Sequence, residues 1–222
     1  MSATQLELPL FPLNVVLFPG MVLPLHIFEP RYLQMIQECQ EEKKPFGVVL
    51  AQPNSTHLDE KPYPVGTVAE IYELDQLEDG HYNLIAIGGE RFRILDQHNE
   101  KPYLSGIVET FEDEPEVNAD VLPFAKEAYD LFSAYLEMLL EVSHKKDVKA
   151  NLPTKAEEIS HFIAYLLDTN DELKQHFLEL RSTKQRLQEE LVILRKEVPF
   201  LRQILSHSQE IQTDKPDRSI LN

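Results

Sequence analysis

The 222-residue chain has one cysteine, Cys39, so it forms no internal disulfide and no cysteine-based zinc site. No glycine follows Gly106, and ten of the fifteen prolines precede Tyr103. Turns that need glycine are therefore expected only in the first half. No basic side chain precedes Arg31, so the opening lacks the positive region of a secretory signal. Apolar runs such as residues 15–18 fall far short of the ~18 to 20 residues of a membrane span. These absences point to a cytoplasmic protein that neither crosses nor docks on a membrane.

Motifs that carry chemistry are missing as well. No Gly-Lys pair exists, so no Walker loop can cradle phosphates. Gly88-Gly89 does not supply the dinucleotide spacing G-x-G-x-x-G, and G-x-S-x-G is absent. The eight histidines never fall in the H-E-x-x-H pattern; His161 and His176 read as interface residues on separate helices. Asp75, Glu78 and Asp79 lack the alternation and distal glutamate of an EF-hand and read as a solvated hairpin end. Cys39 lies on the apolar side of a helix, where a thiol is a small buried hydrophobe. No catalytic, cofactor-binding or metal-ligating set is assigned. A pair of carboxylates acting as a hydrolase remains an open alternative, without a spacing that favours one.

Basic side chains are scarce relative to acidic ones. The formal charge is −17, from 38 acidic and 21 basic residues. It divides evenly: residues 1–110 carry 7 basic and 16 acidic side chains, and residues 111–222 carry 14 and 22, giving −9 and −8. Phosphate neutralisation supplies most nucleic-acid affinity, so no nucleic-acid partner is expected.

What is present changes character near residue 111. Short β-branched and aromatic runs at 46–51, 67–74, 82–87, 91–95 and 105–111 predict strands. Asp79-Gly80 predicts an antiparallel hairpin between two of them. Pro30 suits a first helical position, with Tyr32, Leu33, Ile36 and Cys39 following on one side. The acidic stretch 112–116 reads as a linker, after which the apolar period becomes helical. Ala125, Ala128, Tyr129, Phe132, Tyr135, Leu136, Leu139 and Leu140 form one stripe. Thr154 with Glu157, Thr169 with Glu172, and Ser182 with Gln185 are capping-box candidates for three more helices. In the last, Leu187, Leu191, Leu194, Val198, Leu201 and Leu205 make a short heptad seam, and Pro199 predicts a kink. The expected division is a β-subdomain over 1–112, a helical subdomain over 117–207 and a flexible tail over 208–222.

Residues 8–32, LPLFPLNVVLFPGMVLPLHIFEPRY, resemble the opening of the Lon protease amino-terminal domain, in the version found in free-standing bacterial relatives. FGVVL at 46–50, VGTVAEI at 65–71 and GGERFRI at 88–94 agree in order, and the helical stretches at 163–180 and 186–197 extend the resemblance over about residues 5–200. It implies an α+β fold: a PUA-like pseudo-barrel of six strands with one inserted helix, followed by a helical bundle. It also implies recognition of unfolded or partly folded polypeptides, or of a specific protein partner, without cofactor. The chain ends at Asn222, before the place of the ATPase and serine-lysine protease domains, so no enzyme activity is expected. RNA binding, suggested by the PUA-like fold, is the alternative the charge opposes.

Candidate contact residues are Phe11, Phe18, Met21 and Leu23, on or beside the first loops, and the strand aromatic Tyr72; the competing reading places all five in the core. Pro19-Gly20 suits a tight turn, and Gly88-Gly89 a bulge or close backbone approach. Glu29 and Arg91, charges inside apolar signatures, are expected to pair with each other.

Overall fold

The computed structural model describes residues 4–53, 61–143 and 151–213. In chain order it contains β1 (Gln5–Leu13), β2 (Val22–Ile27), α1 (Pro30–Glu42), β3 (Phe46–Ala51), β4 (Pro62–Gln76), β5 (Tyr82–His98) and β6 (Ser105–Phe111). The helices α2 (Asn118–Val142), α3 (Ala156–Leu166), α4 (Asp171–Glu179) and α5 (Thr183–Thr213) follow. The expected α+β class is found.

The sheet order is β2-β5-β4-β3-β1-β6, and β6 pairs again with β5. Five strands thus close into a ring, and β2 flanks it. The long β5 makes this possible: residues 82–87 lie between β2 and β4, whereas residues 91–98 turn to pair with β6. The bend is built by Gly88-Gly89. Thr67 faces Arg91 and Ala69 faces Gly88, so β5 spends an extra residue there, which is a bulge. A Cβ on Gly88 would lie 2.3 Å from the Phe18 carbonyl oxygen; the close approach therefore falls on Gly88, whereas Gly89 has ordinary room. Inside the ring, Leu8, Leu10, Val49, Val68, Phe92, Leu104 and Val108 form a continuous apolar core.

Turn and cap chemistry follow the sequence closely. Gly80 takes φ +85° in the β4–β5 hairpin, and Gly20 takes φ +76° after Pro19, conformations that cost glycine least. Pro30 opens α1, which buries Tyr32, Met35, Ile36 and Cys39; Met35 takes the place expected of Leu33. At α4 the cap is Asn170, whose side chain accepts from the Leu173 amide at 2.8 Å, and not Thr169. Asparagine is as good an N-cap as threonine or better, which moves the start by one residue.

The chain divides into two compact units, Met1–Pro115 with His161–Thr183, and Glu116–Ser160 with Lys184–Asn222. A single cut between strands and helices, as the composition suggests, misses this interleaving. Its cause within the first unit is Arg91. This buried side chain donates from Nη1 to the carbonyl oxygens of Leu178 at 2.9 Å and Leu180 at 2.6 Å, and from Nη2 to Asp113 Oδ1. Asp113 Oδ2 in turn accepts from Thr183 Oγ1 at 2.5 Å. Gln175 Nε2 also donates to the Val65 carbonyl, at 3.0 Å. Residues 161–183 are thereby fastened to the barrel by buried polar bonds that a hydrophobic period does not display.

The expected Glu29–Arg91 pair does not form. Glu29 accepts from Arg31 Nε at 3.1 Å at the surface, and the true partner of Arg91 is an acid from the stretch that reads as a linker.

In the second unit, α2 buries Val121, Ala125, Ala128, Phe132 and Tyr135, whereas Tyr129 is exposed. On α5 the seam residues Leu187, Leu191, Leu194 and Val198 are buried. The helix continues through Pro199 to Thr213, six residues past the expected end at 207, and the rest of the expected tail lies outside the described residues.

Candidate functional site

The five contact candidates separate cleanly. Phe11, Phe18, Met21 and Leu23 are buried, and Tyr72 is 72% exposed. Phe11 packs its ring 4.1 Å from that of Tyr32 and 6.3 Å from Phe46. Phe18 and Met21 belong to the segment folded back over the sheet, where Thr67 Oγ1 donates to the Leu17 carbonyl at 2.6 Å and the Gly20 amide to the Gly88 carbonyl at 2.8 Å. Their apolar character serves the fold.

Strand alternation explains which residues take the other face. On β2, Leu23 and Ile27 are buried, while Val22, Pro24 and His26 are exposed, as is Phe28 just beyond the strand. Applied to residues 22–28, the period-two rule finds Val22 and Phe28, which sequence reasoning passed over for Leu23. Val22 stands opposite Ile87, Pro24 opposite Ile85 and His26 opposite Asn83. Across β5, Ile87 faces Glu70, Ile85 faces Glu73 and Asn83 faces Asp75 on β4. The register shifts between Ile71 and Glu73, which makes Tyr72 the extra residue of a bulge.

The result is a three-stranded outer face with an apolar centre and polar margins. Val22 is 50% and Phe28 56% exposed, with Tyr72 beyond them on β4. An open groove of about 380 Å³ crosses it, lined by Pro24, His26, Glu73, Asp75, Asn83 and Ile85 among others. One end is an aromatic cluster: His26 stacks on Phe28 with centroids 6.0 Å apart and meets His81 edge-on at 5.5 Å. His26 Nδ1 lies 3.0 Å from Asn83 Oδ1, and His81 Nδ1 lies 3.0 Å from Asp79 Oδ2. The strand's edge is blunted, since Pro24 has no N–H and the Val22 carbonyl accepts from Tyr165 at 3.4 Å. Contact is therefore offered by side chains on the face more than by an open edge.

Two other places were natural candidates for chemistry. Glu38, Lys101 and Tyr103 form a closed set, with Glu38 Oε2 accepting from Tyr103 Oη at 2.5 Å and Lys101 Nζ at 2.6 Å. The bonds from Lys101 and then Tyr103 hold the Glu38 carboxyl down at about 2, and burial pushes the neighbouring Cys39 thiol up to about 11. An acid so stabilised is a poor proton donor or acceptor near neutrality, and such a thiol is a poor nucleophile; the set ties α1 to the segment before β6. A recess of about 490 Å³ opens at the start of α4, but Asp171 and Glu172 are part of its lining and, in the first turn of the helix, already offset its dipole. Among the described residues, no group of three or more His, Cys, Asp or Glu is arranged to hold a metal ion, and no helix is long and apolar enough to cross a membrane.

Comparison with known proteins places this architecture. The family model of the ATP-dependent protease La (LON) substrate-binding domain matches residues 7–196. The chain belongs to that family. Lon protease of Anaeromyxobacter dehalogenans is 29% identical over 214 residues, covering 93% of this chain and 24% of that protein. Lon protease of Parabacteroides distasonis is 35% identical over 109 residues, 48% of this chain and 13% of its own. The chain thus spans about a quarter of the first of these LON relatives. Among solved structures, a Lon N-terminal domain protein from Xanthomonas campestris superposes with a TM-score of 0.65 at 27% identity, covering 84% of this chain and 98% of that one. The N-terminal domain of Mycobacterium avium complex Lon protease gives 0.66 at 15% identity, a likeness of fold.

Proposed function

We propose that this LON-family chain binds apolar segments of unfolded or partly folded polypeptides on the outer face of β2, β5 and β4, without acting on them chemically. The observation that carries the reading is the exposed set Tyr72, Phe28 and Val22 on one face of a chain whose family is a substrate-binding domain. Exposed apolar side chains gathered on one face mark interaction surfaces more often than isolated ones do, and aromatics bring large contact area at low entropic cost. In this reading the protein serves as an adaptor or regulator of proteolysis, delivering or withholding what a separate machine degrades. The buried, unpaired Cys39 suits a reducing compartment such as the cytoplasm. The acidic field opposes nucleic acid as the ligand.

Titration of the protein into a fluorescent, permanently unfolded polypeptide tests this. Burial of apolar area is not screened as exposed charges are, so saturable binding at low salt should persist at high salt. Tyr72→Ser and Phe28→Ser alter exposed side chains and should weaken binding at least fivefold in proteins that remain folded. Substitutions at Phe11 or Met21 report on folding instead. Unchanged affinity in both exposed variants moves the contact surface elsewhere.

A further inference from the structure

The polar margin of the candidate face has one sign. Residues 20–28 and 69–90, which contain β2, the hairpin and the facing parts of β4 and β5, include no lysine or arginine. Against that absence stand Glu70, Glu73, Asp75, Glu78, Asp79 and Glu90, all exposed. Three of these are ordered along the groove by the strand register. Glu70 flanks Ile87, Glu73 flanks Ile85 and Asp75 flanks Asn83, so carboxylates run along β4 beside the apolar track of β5. Glu73 and Asp75 line the groove itself, and neither forms an ion pair with any described residue. A groove walled by one sign of charge concentrates the opposite sign, the more so at low salt.

Resting on the binding role proposed above, we infer that this face selects extended segments in which Lys or Arg accompany the apolar side chains. Aliphatic or aromatic groups lie on Val22, Pro24, Ile85 and Tyr72, and the basic groups meet Glu73 and Asp75. The spacing suits an extended ligand. Glu73 and Asp75 are two residues apart on a strand, about 6.6 Å at ~3.3 Å per residue, which is also the spacing of alternate side chains in the ligand. Acidic apolar segments are disfavoured at the same place, because like charges brought together repel. The selection is electrostatic and the affinity apolar, so the two respond differently to salt.

Three fluorescent peptides with the same apolar residues, and Lys, Gln or Glu at two positions spaced by two, separate the possibilities. An exposed ion pair contributes somewhat under about twofold, and turning two attractions into two repulsions compounds four such factors to about tenfold between the Lys and Glu peptides. That ratio should fall toward one in molar salt, while the Gln peptide keeps its affinity. Glu73→Gln with Asp75→Asn should erase the discrimination and leave the Gln peptide unaffected. Glu7→Gln with Glu41→Gln, which removes the same charge from exposed positions elsewhere, should leave the discrimination intact. Equal binding of all three peptides, or equal loss of discrimination in both double variants, overturns the inference and leaves polypeptide binding standing. Failure of every peptide to bind overturns the binding role itself, and the inference with it.

Discussion

Arg91→Ala probes the buried polar joint that fastens residues 161–183 to the barrel. The wild-type guanidinium serves three acceptors, the carbonyls of Leu178 and Leu180 and the carboxylate of Asp113, with the Phe111 ring 4.7 Å below it. The side chains of Arg91 and Asp113 are 2% and 6% exposed, so water cannot take the place of the lost donor. Removing one member of a buried ion pair costs about 3–5 kcal/mol. At roughly 2–4 °C per kcal/mol for a chain of this size, the melting temperature should fall by about 6–20 °C. Thermal unfolding followed by circular dichroism, repeated with Asp113→Ala and the double variant, completes the cycle. The double variant should lose less than the sum of the singles, because neither charge is then left alone, with a coupling between about 0.5 and 3 kcal/mol. Arg91→Ala with Glu29→Ala should be additive. Additivity in the Asp113 cycle, or coupling in the Glu29 cycle, would refute the assignment.

Glu190 is fully buried on α5, and neither carboxylate oxygen has a hydrogen-bond partner; burial raises its pKa well above the usual range although the Arg186 charge pulls it down. A raised folded pKa means stability is present below the ordinary carboxylate pKa and lost as pH rises through the folded value. Glu190→Met should therefore stabilise the protein by about 1 kcal/mol or more, with the gain growing with pH in denaturant titrations. Glu38 behaves oppositely. Its pKa, lowered to about 2 by Lys101 and Tyr103, gives stability present above the ordinary value and lost as pH falls toward 2. Glu38→Gln should be less stable than wild type at pH 6, and the deficit should vanish near pH 2. At Gly88, a Cβ 2.3 Å from the Phe18 carbonyl must displace backbone, so Gly88→Ala should cost about 1–3 kcal/mol by chemical denaturation.

Elements that declare themselves through local chemistry were legible in the sequence. Strands β3 and β6, the Asp79-Gly80 hairpin and the Pro30 helix start all follow from period, turn residue or fixed φ. What escaped was non-local. Two predicted strands, 82–87 and 91–95, are one strand, because the bulge at Gly88-Gly89 bends β5 without ending it. Asp113 reads as one acid in a solvated run, and only the fold brings it to Arg91. The candidate face was half visible. Of the five contact candidates the structure leaves Tyr72 exposed, whereas Phe11, Phe18, Met21 and Leu23 share its hydrophobicity and are separated from it only by strand parity and burial. Val22 and Phe28 needed nothing more than the alternation of residues 22–28.

Polypeptide is proposed to meet the protein on the β2–β5–β4 face. Methyl-resolved NMR of the protein with an unfolded, lysine-bearing apolar peptide tests it most directly. Shifts that saturate together at Val22, Ile85 and Ile87, with Val121, Leu187 and Val198 of the helical unit unmoved, are the predicted result. Shifts confined to the helical unit, or none at a peptide concentration that saturates fluorescence binding, would contradict the account.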